Sequence, residues 1–290
     1  QPRLRARYFA GAAIVIALVW TALLWNLDAR QQRTIRETQT AHRVLAHAMA
    51  DHVGALIRTF DISLLTLRET WLRDPAAFPA RVQEMRDALK GIPITGFGVT
   101  DAKGMVVWHS APGWRPQDVS RAEHVRAHIV NLTDELYIGR PVLGPVTKKW
   151  VVQFSRPIFD ARHRFVGTLG FGIDPSLLTR EFTDVNMSDG QHVSVVRHDG
   201  YFLSRTRDFE RAAQARLNPL EVPGLRQDQP DTGEYRRSSA VDNIDSLFTY
   251  HKVPDLPLTV YVGWAVEKGM SAVVQQRAAY ITLGVLATIL

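Results

Sequence analysis

The longest pattern in the chain is an apolar stripe of helical period. Leu45, Met49, Val53, Leu56, Phe60, Leu64, Leu67 and Trp71 follow one another at steps of three or four. That spacing lines one face of an α-helix or the seam of a coiled coil. The surrounding stretch, residues 28–72, has no proline and one glycine, Gly54. It is predicted to be a single helix of roughly 60 Å. His42, His47 and His52 lie on it five residues apart. Five-residue steps spread side chains round a helix, so these histidines are expected at solvent or at a contact between two copies, not around a metal ion.

Beyond Pro75 the period shortens to two. Alternating segments at 94–100, 105–109, 149–159, 165–173, 192–198, 201–204, 246–253 and 258–266 predict strands. Turn chemistry separates them: Asp101 to Gly104, Asp160 to His163, Asp199-Gly200, and Pro254 to Pro257. The strands fall into two groups, at about 94–173 and 192–266, bridged by 177–182. Each group has the content of one small antiparallel sheet with helices, so the predicted class is α+β.

The two ends carry a different signal. Residues 8–27 contain no charge, and a span needs about 20 apolar residues. Arg3, Arg5 and Arg7 precede them, which predicts a cytoplasmic segment 1–7 and a transmembrane helix 8–27, with Tyr8, Trp20 and Trp25 as interfacial anchors. A cleaved signal peptide is the rival reading, but its apolar core is shorter and WNLDARQQ offers a poor cleavage site. Residues 278–290 are again uncharged. They are expected to begin a second span continuing past Leu290, the alternative being a C-terminal core helix.

Composition narrows the function. The net charge is +6, yet the arginines are scattered and no basic run is interleaved with aromatics, which argues against nucleic acid. There is no cysteine, so disulfides and thiolate sites are excluded. P-loop, HExxH and GxSxG patterns are absent, as is the GGDEF signature, so no catalytic residue, cofactor or resident metal is expected.

Strand parity suggests where chemistry resides. Phe97 and Val99 oppose Gly96, Gly98 and Thr100; Val152 and Phe154 oppose Gln153 and Ser155; Leu169, Phe171 and Ile173 oppose Thr168, Gly170, Gly172 and Asp174. If these strands are neighbours, they share one apolar face and one small, polar face. The second face meets solvent or surrounds a polar molecule. Arg121 and Arg156 are candidates to fork a carboxylate. His124, Tyr137, Gln153, Ser155 and Asp174 complete the candidate lining. His124 and His128 stand four apart on a helical segment, a spacing that suits a metal, but only His109 offers itself as a third ligand.

Four stretches carry a family resemblance: GFGVTDAKGMVVWHS, DVSRAEHVRAH, YIGRPVLGPVTKKWVVQFSRPIFDARHRFVGTLGFGIDPSLL and HVSVVRHDGYFLSR. With the anchors they resemble the double-Cache (PDC-type) sensor domains of bacteria, especially those fused to diguanylate cyclases and cyclase–phosphodiesterases. The resemblance implies a signalling helix at 28–72, a membrane-distal PAS-like subdomain at 73–180, a membrane-proximal one at 181–268, and an exit helix with the second span at 269–290. It implies a distal pocket for a small polar ligand of the amino-acid, amine or carboxylate class. Asp174 matches the aspartate that meets the ligand's amine in amino-acid-binding relatives; its other reading is a cap on the turn at Pro175. The chain departs from the family at residues 120–125, where an Asp-Arg and an aromatic pair are usual, and at His163, where glycine is usual. The expected function is a periplasmic input module, residues 28–277, controlling a cytoplasmic diguanylate cyclase beyond Leu290. The alternatives are input to a histidine kinase or chemoreceptor, and a membrane-tethered enzyme or protein-binding adaptor. The apolar stripe adds a homodimer to the expected partners.

Overall fold

The computed structural model describes residues 2–144, 148–183, 190–269 and 271–289, with the side chains of 2–13, 15, 183, 272, 273, 283, 287 and 289 outside the description. Helix α1 runs unbroken from Pro2 to Arg73. It is followed by α2 (Phe78–Ala88), β1 (Ile94–Asp101), β2 (Val106–His109), α3 (Glu123–Asn131), β3 (Tyr137–Ile138), β4 (Val142–Leu143), β5 (Trp150–Phe159) and β6 (Phe165–Ile173). A 3₁₀ turn at Pro175–Leu178 and α4 (Arg180–Thr183) lead to β7 (Gln191–Arg197), β8 (Phe202–Arg205), α5 (Phe209–Gln214), β9 (Thr232–Ser238), β10 (Asp245–Lys252) and β11 (Leu258–Ala265). Helices α6 (Val266–Gly269) and α7 (Ser271–Ile289) close the chain.

The strands form two antiparallel sheets. The first has the order β2-β1-β6-β5-β3, with β4 paired to the start of β5; the second has the order β8-β7-β11-β10-β9. Leaving β4 aside, each is a second-first-fifth-fourth-third arrangement, the double antiparallel α+β fold expected from the sequence. The tight turns are made as their residues require. Asp101 Oδ1 accepts from the amides of Lys103 and Met105, and Gly104 supplies the left-handed residue at φ +82°. Asp160 repeats the device with the amides of Arg162 and Arg164, where His163 takes φ +56°.

One apolar cluster serves both sheets. Met49, Val53, Ile57, Phe60, Leu64 and Leu67 of α1 are fully buried against Phe97, Phe154 and Phe171 of the first sheet and Val193, Val260 and Val262 of the second. Phe60 meets Phe154 and Phe171 edge-on at 5.1 and 5.3 Å. The stripe on which a dimer was expected is therefore covered by the chain's own sheets. A period of three to four residues reports a buried face, not what buries it.

Of the histidines on α1, His47 is exposed as expected, and His42 requires a correction. His42 is buried, accepts from Gln191 Nε2 at 2.7 Å and lies edge-on to Trp264. His47 Nδ1 is 2.9 Å from His251 Nε2, and His52 lies 3.5 Å from the Glu181 carboxylate. All three face elements of their own chain, because the second sheet and α4 wrap more than one side of α1. Near the ends, α1 and α7 lie together, with Gly284 against Trp20 and Leu23. Among the described residues no helix is long and apolar enough to cross a membrane; the side chains of residues 8–13 and 15, part of the predicted first span, lie outside the described residues.

Because Phe60 belongs to the shared core, Phe60→Ala should cost about 3–5 kcal/mol. Ile62, 64% exposed on the opposite side of α1, should tolerate alanine within about 0.5 kcal/mol. Denaturant unfolding of the solubilised protein distinguishes the two.

Candidate functional site

The registers of the first sheet align its small residues in rows. Gly98 pairs with Gly170 and Gly170 with Ser155; Gly96 pairs with Gly172 and Gly172 with Gln153; Thr100 pairs with Thr168. Opposite residues in an antiparallel pair point to the same face. The face turned away from α1 thus carries a continuous small, polar patch across β1, β6 and β5. The glycines admit neighbours closely. The His109 ring lies over Gly96 and Gly98, with Cε1 3.0 Å from where a Gly96 Cβ would stand, and a Gly170 Cβ would lie 2.8 Å from the Phe154 carbonyl oxygen.

Helix α3 lies on this patch. Ser155, fully buried, donates its hydroxyl to the His124 carbonyl at 3.1 Å and lies 2.9 Å from His128 Nε2. A serine hydroxyl has one proton. With that proton given to His124, His128 must donate from Nε2, which fixes its tautomer. Burial pushes the His124 and His128 imidazoles down to about 4, with His128 reinforcing the effect on His124. Both rings are neutral at neutral pH, and the cover over the patch carries no imidazolium charge.

Tyr137 stands beside Ser155 across β3 and β5, and its hydroxyl donates to Glu123 Oε1 at 2.8 Å. Burial and that carboxylate raise the phenol to about 12. Gln153 extends over Gly172. Asp174 follows β6 directly and accepts from the Ser176 amide at 2.9 Å, so it caps the 3₁₀ turn. The structure therefore brings Ser155 and Tyr137 against α3, which carries His124, while Gln153 lies over Gly172 on the same face and Asp174 follows the strand.

The two arginines stand elsewhere. Arg121 is exposed in the turn before α3. Arg156 is a correction: it follows Ser155, so strand alternation sends it to the α1 face. There it forks Asp61 at 2.5 and 2.7 Å and bonds Asp134 at its carbonyl, 2.7 Å, and its carboxylate, 3.1 Å, while Arg68 grips the same carboxylate. Arg156 fastens the loop after α3 to α1 and is not part of the polar patch.

Sequence reasoning missed Glu123 and Arg197. Arg197, on β7 of the second sheet, is 10% exposed at its side chain and reaches across to the first. Nε and Nη2 fork Asp199 at 2.8 and 2.7 Å. Nη2 also bonds Glu123 Oε1 at 2.8 Å. Nη1 bonds the Ile138 carbonyl at 2.6 Å and the Tyr137 hydroxyl at 3.4 Å. All five guanidinium protons are engaged. The rings of Tyr137 and Tyr201 flank the cation at 5.8 and 5.6 Å. Burial opposes ionisation of Glu123, but the bonds from Arg197 and Tyr137 prevail and hold its carboxyl below the usual range. The first residue of α3 is thereby tied to the second sheet. A contact between residues this far apart in the chain leaves no local pattern.

A family model described as Cache domain matches residues 27–276. Among solved structures, the extracellular domain of the putative histidine kinase rpHK1S-Z16 superimposes with a TM-score of 0.69 at 21% identity, covering 80% of this chain and 95% of that one. The ligand-binding domain of the Pseudomonas aeruginosa amino-acid chemoreceptor PctB, solved with L-Arg, gives 0.60 at 13% identity over 80% and 97%. The periplasmic sensory domain of the Campylobacter jejuni chemoreceptor Tlp1 gives 0.59 at 16% over 82% and 98%. No curated protein matches the chain.

The buried neutral histidines make stability pH-dependent. The unfolded chain takes up protons as pH falls below about 6.5, the ordinary histidine value, while folded His42, His124 and His128 resist them down to about 4. Stability should therefore be full above pH 6.5 and fall from there to about 4, and on to about 3 through His192. His128→Gln should flatten that fall, as read from denaturation midpoints across the window.

Proposed function

The chain belongs to the Cache family, and from that membership we propose that it is the extracytoplasmic input module of a transmembrane signalling protein, with its ligand site between α3 and the polar patch of the first sheet. A Cache domain is a sensory, ligand-binding module, so the chain is a receptor part and not a catalyst. The observation that carries the placement is the row-aligned run of glycine, serine and threonine under a helix, a face too small and polar to close as an apolar core.

The ligand class we propose is an amino acid. Gln153, Ser155, Tyr137 and the neutral His124 and His128 supply hydrogen bonds without fixed charge. Asp174 has one carboxylate oxygen on its cap, which leaves the other for an amine. The solved PctB domain holds L-Arg, and a Pseudomonas fluorescens CtaA domain holds L-isoleucine; those are properties of those proteins, and they support the class here. The side chains already touching across the interface require α3 to shift when a ligand enters. That shift is a population change between two placements of the helix, and the ligand must favour one of them.

The same reading places the segment between the two predicted spans outside the membrane. The likeness to a histidine kinase and to chemoreceptors favours those outputs over the diguanylate cyclase expected from the sequence. Assay of the full-length protein for autophosphorylation and for cyclic-di-GMP synthesis separates them.

Titrating the solubilised chain with L-Arg, L-Ala, L-Ile and γ-aminobutyrate tests the site. At least one should raise the melting temperature saturably, by mass action on the folded state. Gln153→Ala and Asp174→Ala should abolish that rise. A rise that survives both substitutions would move the site off the polar patch.

A further inference from the structure

Where the two end helices meet, the chain gathers positive charge. A hollow of about 220 Å³ between α1 and α7 is lined by Arg30, Arg33 and Thr34 of the first and Arg277 and Tyr280 of the second, with buried Leu27 among them. Leu27, Arg30 and Thr34 recur at steps of three and four, so they share one face of α1. The lining holds no carboxylate. Arg30 donates from Nε to Asn26 at 2.8 Å, and among the described residues none of the three arginines forms an ion pair. The acids nearest along α1 point elsewhere. Asp28 is two positions from Arg30, roughly 200° round the helix, and Glu37 lines a separate groove with Arg36. Three guanidiniums round one hollow repel one another, and an anion between them reverses the sign of that interaction.

The level of the hollow selects the anion. Leu27 is the last residue of the predicted first span, and Tyr280 is the third residue of the predicted second, so both helices set the hollow at the membrane boundary. At the helical rise, Arg30 and Arg33 stand roughly 5 and 9 Å beyond Leu27. The polar layer on each side of the hydrocarbon is about 5–8 Å deep. Lipid phosphates lie in that layer, and tyrosine is favoured there. Basic side chains are favoured on the cytoplasmic side, so three arginines at the outer boundary run against the bias. A negative headgroup removes the conflict.

We propose that Arg30, Arg33 and Arg277 form a binding site for the phosphate of a net-anionic phospholipid of the phosphatidylglycerol class, in the extracytoplasmic leaflet. The lipid ties α1 to α7 where both enter the bilayer. The site rests on the reading of residues 8–27 and 278–290 as spans and is independent of the ligand site under α3. A guanidinium offers a phosphate two parallel N–H donors, and Tyr280 adds a hydroxyl. Phosphatidylcholine carries the same phosphate, but its choline would bring a fourth cation to three arginines. The net charge of the headgroup, and not the phosphate alone, therefore sets the preference.

The test is native mass spectrometry of the full chain in detergent, titrated with phosphatidylglycerol or with phosphatidylcholine of the same acyl chains. The proposal expects phosphatidylglycerol to bind more tightly by roughly tenfold or more. Arg30→Gln, Arg33→Gln and Arg277→Gln should each weaken that binding by about fivefold, and Arg36→Gln, in the separate groove, by much less. All four positions are exposed, so the variants should melt with the wild type. Equal affinity for the two lipids overturns the proposal. So does a loss in Arg36→Gln as large as in the other three, which would mark diffuse charge and not a site. Glycerol phosphate is the soluble arm: if it displaces phosphatidylglycerol at equal concentration, the arginines serve a dissolved phosphate and the lipid assignment falls. Reconstitution into phosphatidylcholine nanodiscs tests the spans separately. A chain that does not incorporate contradicts the spans, and the site with them; one that incorporates but shows no phosphatidylglycerol preference contradicts the site alone.

Discussion

The molecule depends on one helix having an apolar stripe long enough for two sheets. Ala46, Met49, Ala50 and Val53 lie lower on α1; Phe60, Leu64 and Leu67 lie higher. Neither sheet has a core of its own on that side, because the residues that bury Phe154 and Val260 come from the same helix. Apolar burial is the main stabilising term, and it is non-directional. The directional part comes from polar contacts along the edges of the stripe: His42 with Gln191, His47 with His251, and Asp61 with Arg156. A movement of either sheet along α1 must break one of these.

Two sheets of the same strand order then differ on their far faces, and that difference divides the chemistry. The first face is small and takes a helix, α3, as its cover. The second is aromatic, with Phe248, Tyr250 and Tyr261, and takes a loop-rich cover. Arg197 joins them. Removing an arginine from water is costly unless its geometry and hydrogen bonding are complete. Here two carboxylates, a carbonyl and a phenol complete it. A fully engaged buried cation is intolerant of displacement, so a shift at Glu123 must be followed by the β7–β8 hairpin or break the set. The N-terminus of α3 and the second sheet are thus held together through one side chain.

Much of the fold was legible in the chain. Strand β6 occupies the predicted 165–173, and β5, β7, β8, β10 and β11 lie within two residues of their expected limits, because alternation and Asp-Gly turns mark them locally. Strand β9, with the sequence TGEYRRS, was not expected. It is an exposed edge strand whose polar side chains show no period. The rows of small residues were readable because parity is a local property. By the same parity Arg156 belongs on the other face, and its attraction as a carboxylate ligand obscured that. The partners of Glu123, Arg197 and the α1 histidines were not readable, since each joins elements brought together only by the wrapping of two sheets round one helix.

The central claim is that α3 covers a ligand site and that Glu123 and Arg197 carry its movement to the second sheet. Hydrogen exchange measures this most directly, with amide protection mapped over residues 123–131 and 191–205 in the presence and absence of a stabilising amino acid. The account expects protection to change in both segments in the wild-type chain, and in the first alone in Glu123→Gln. Change confined to α3 in the wild type, or equal change in both segments in the variant, would contradict it.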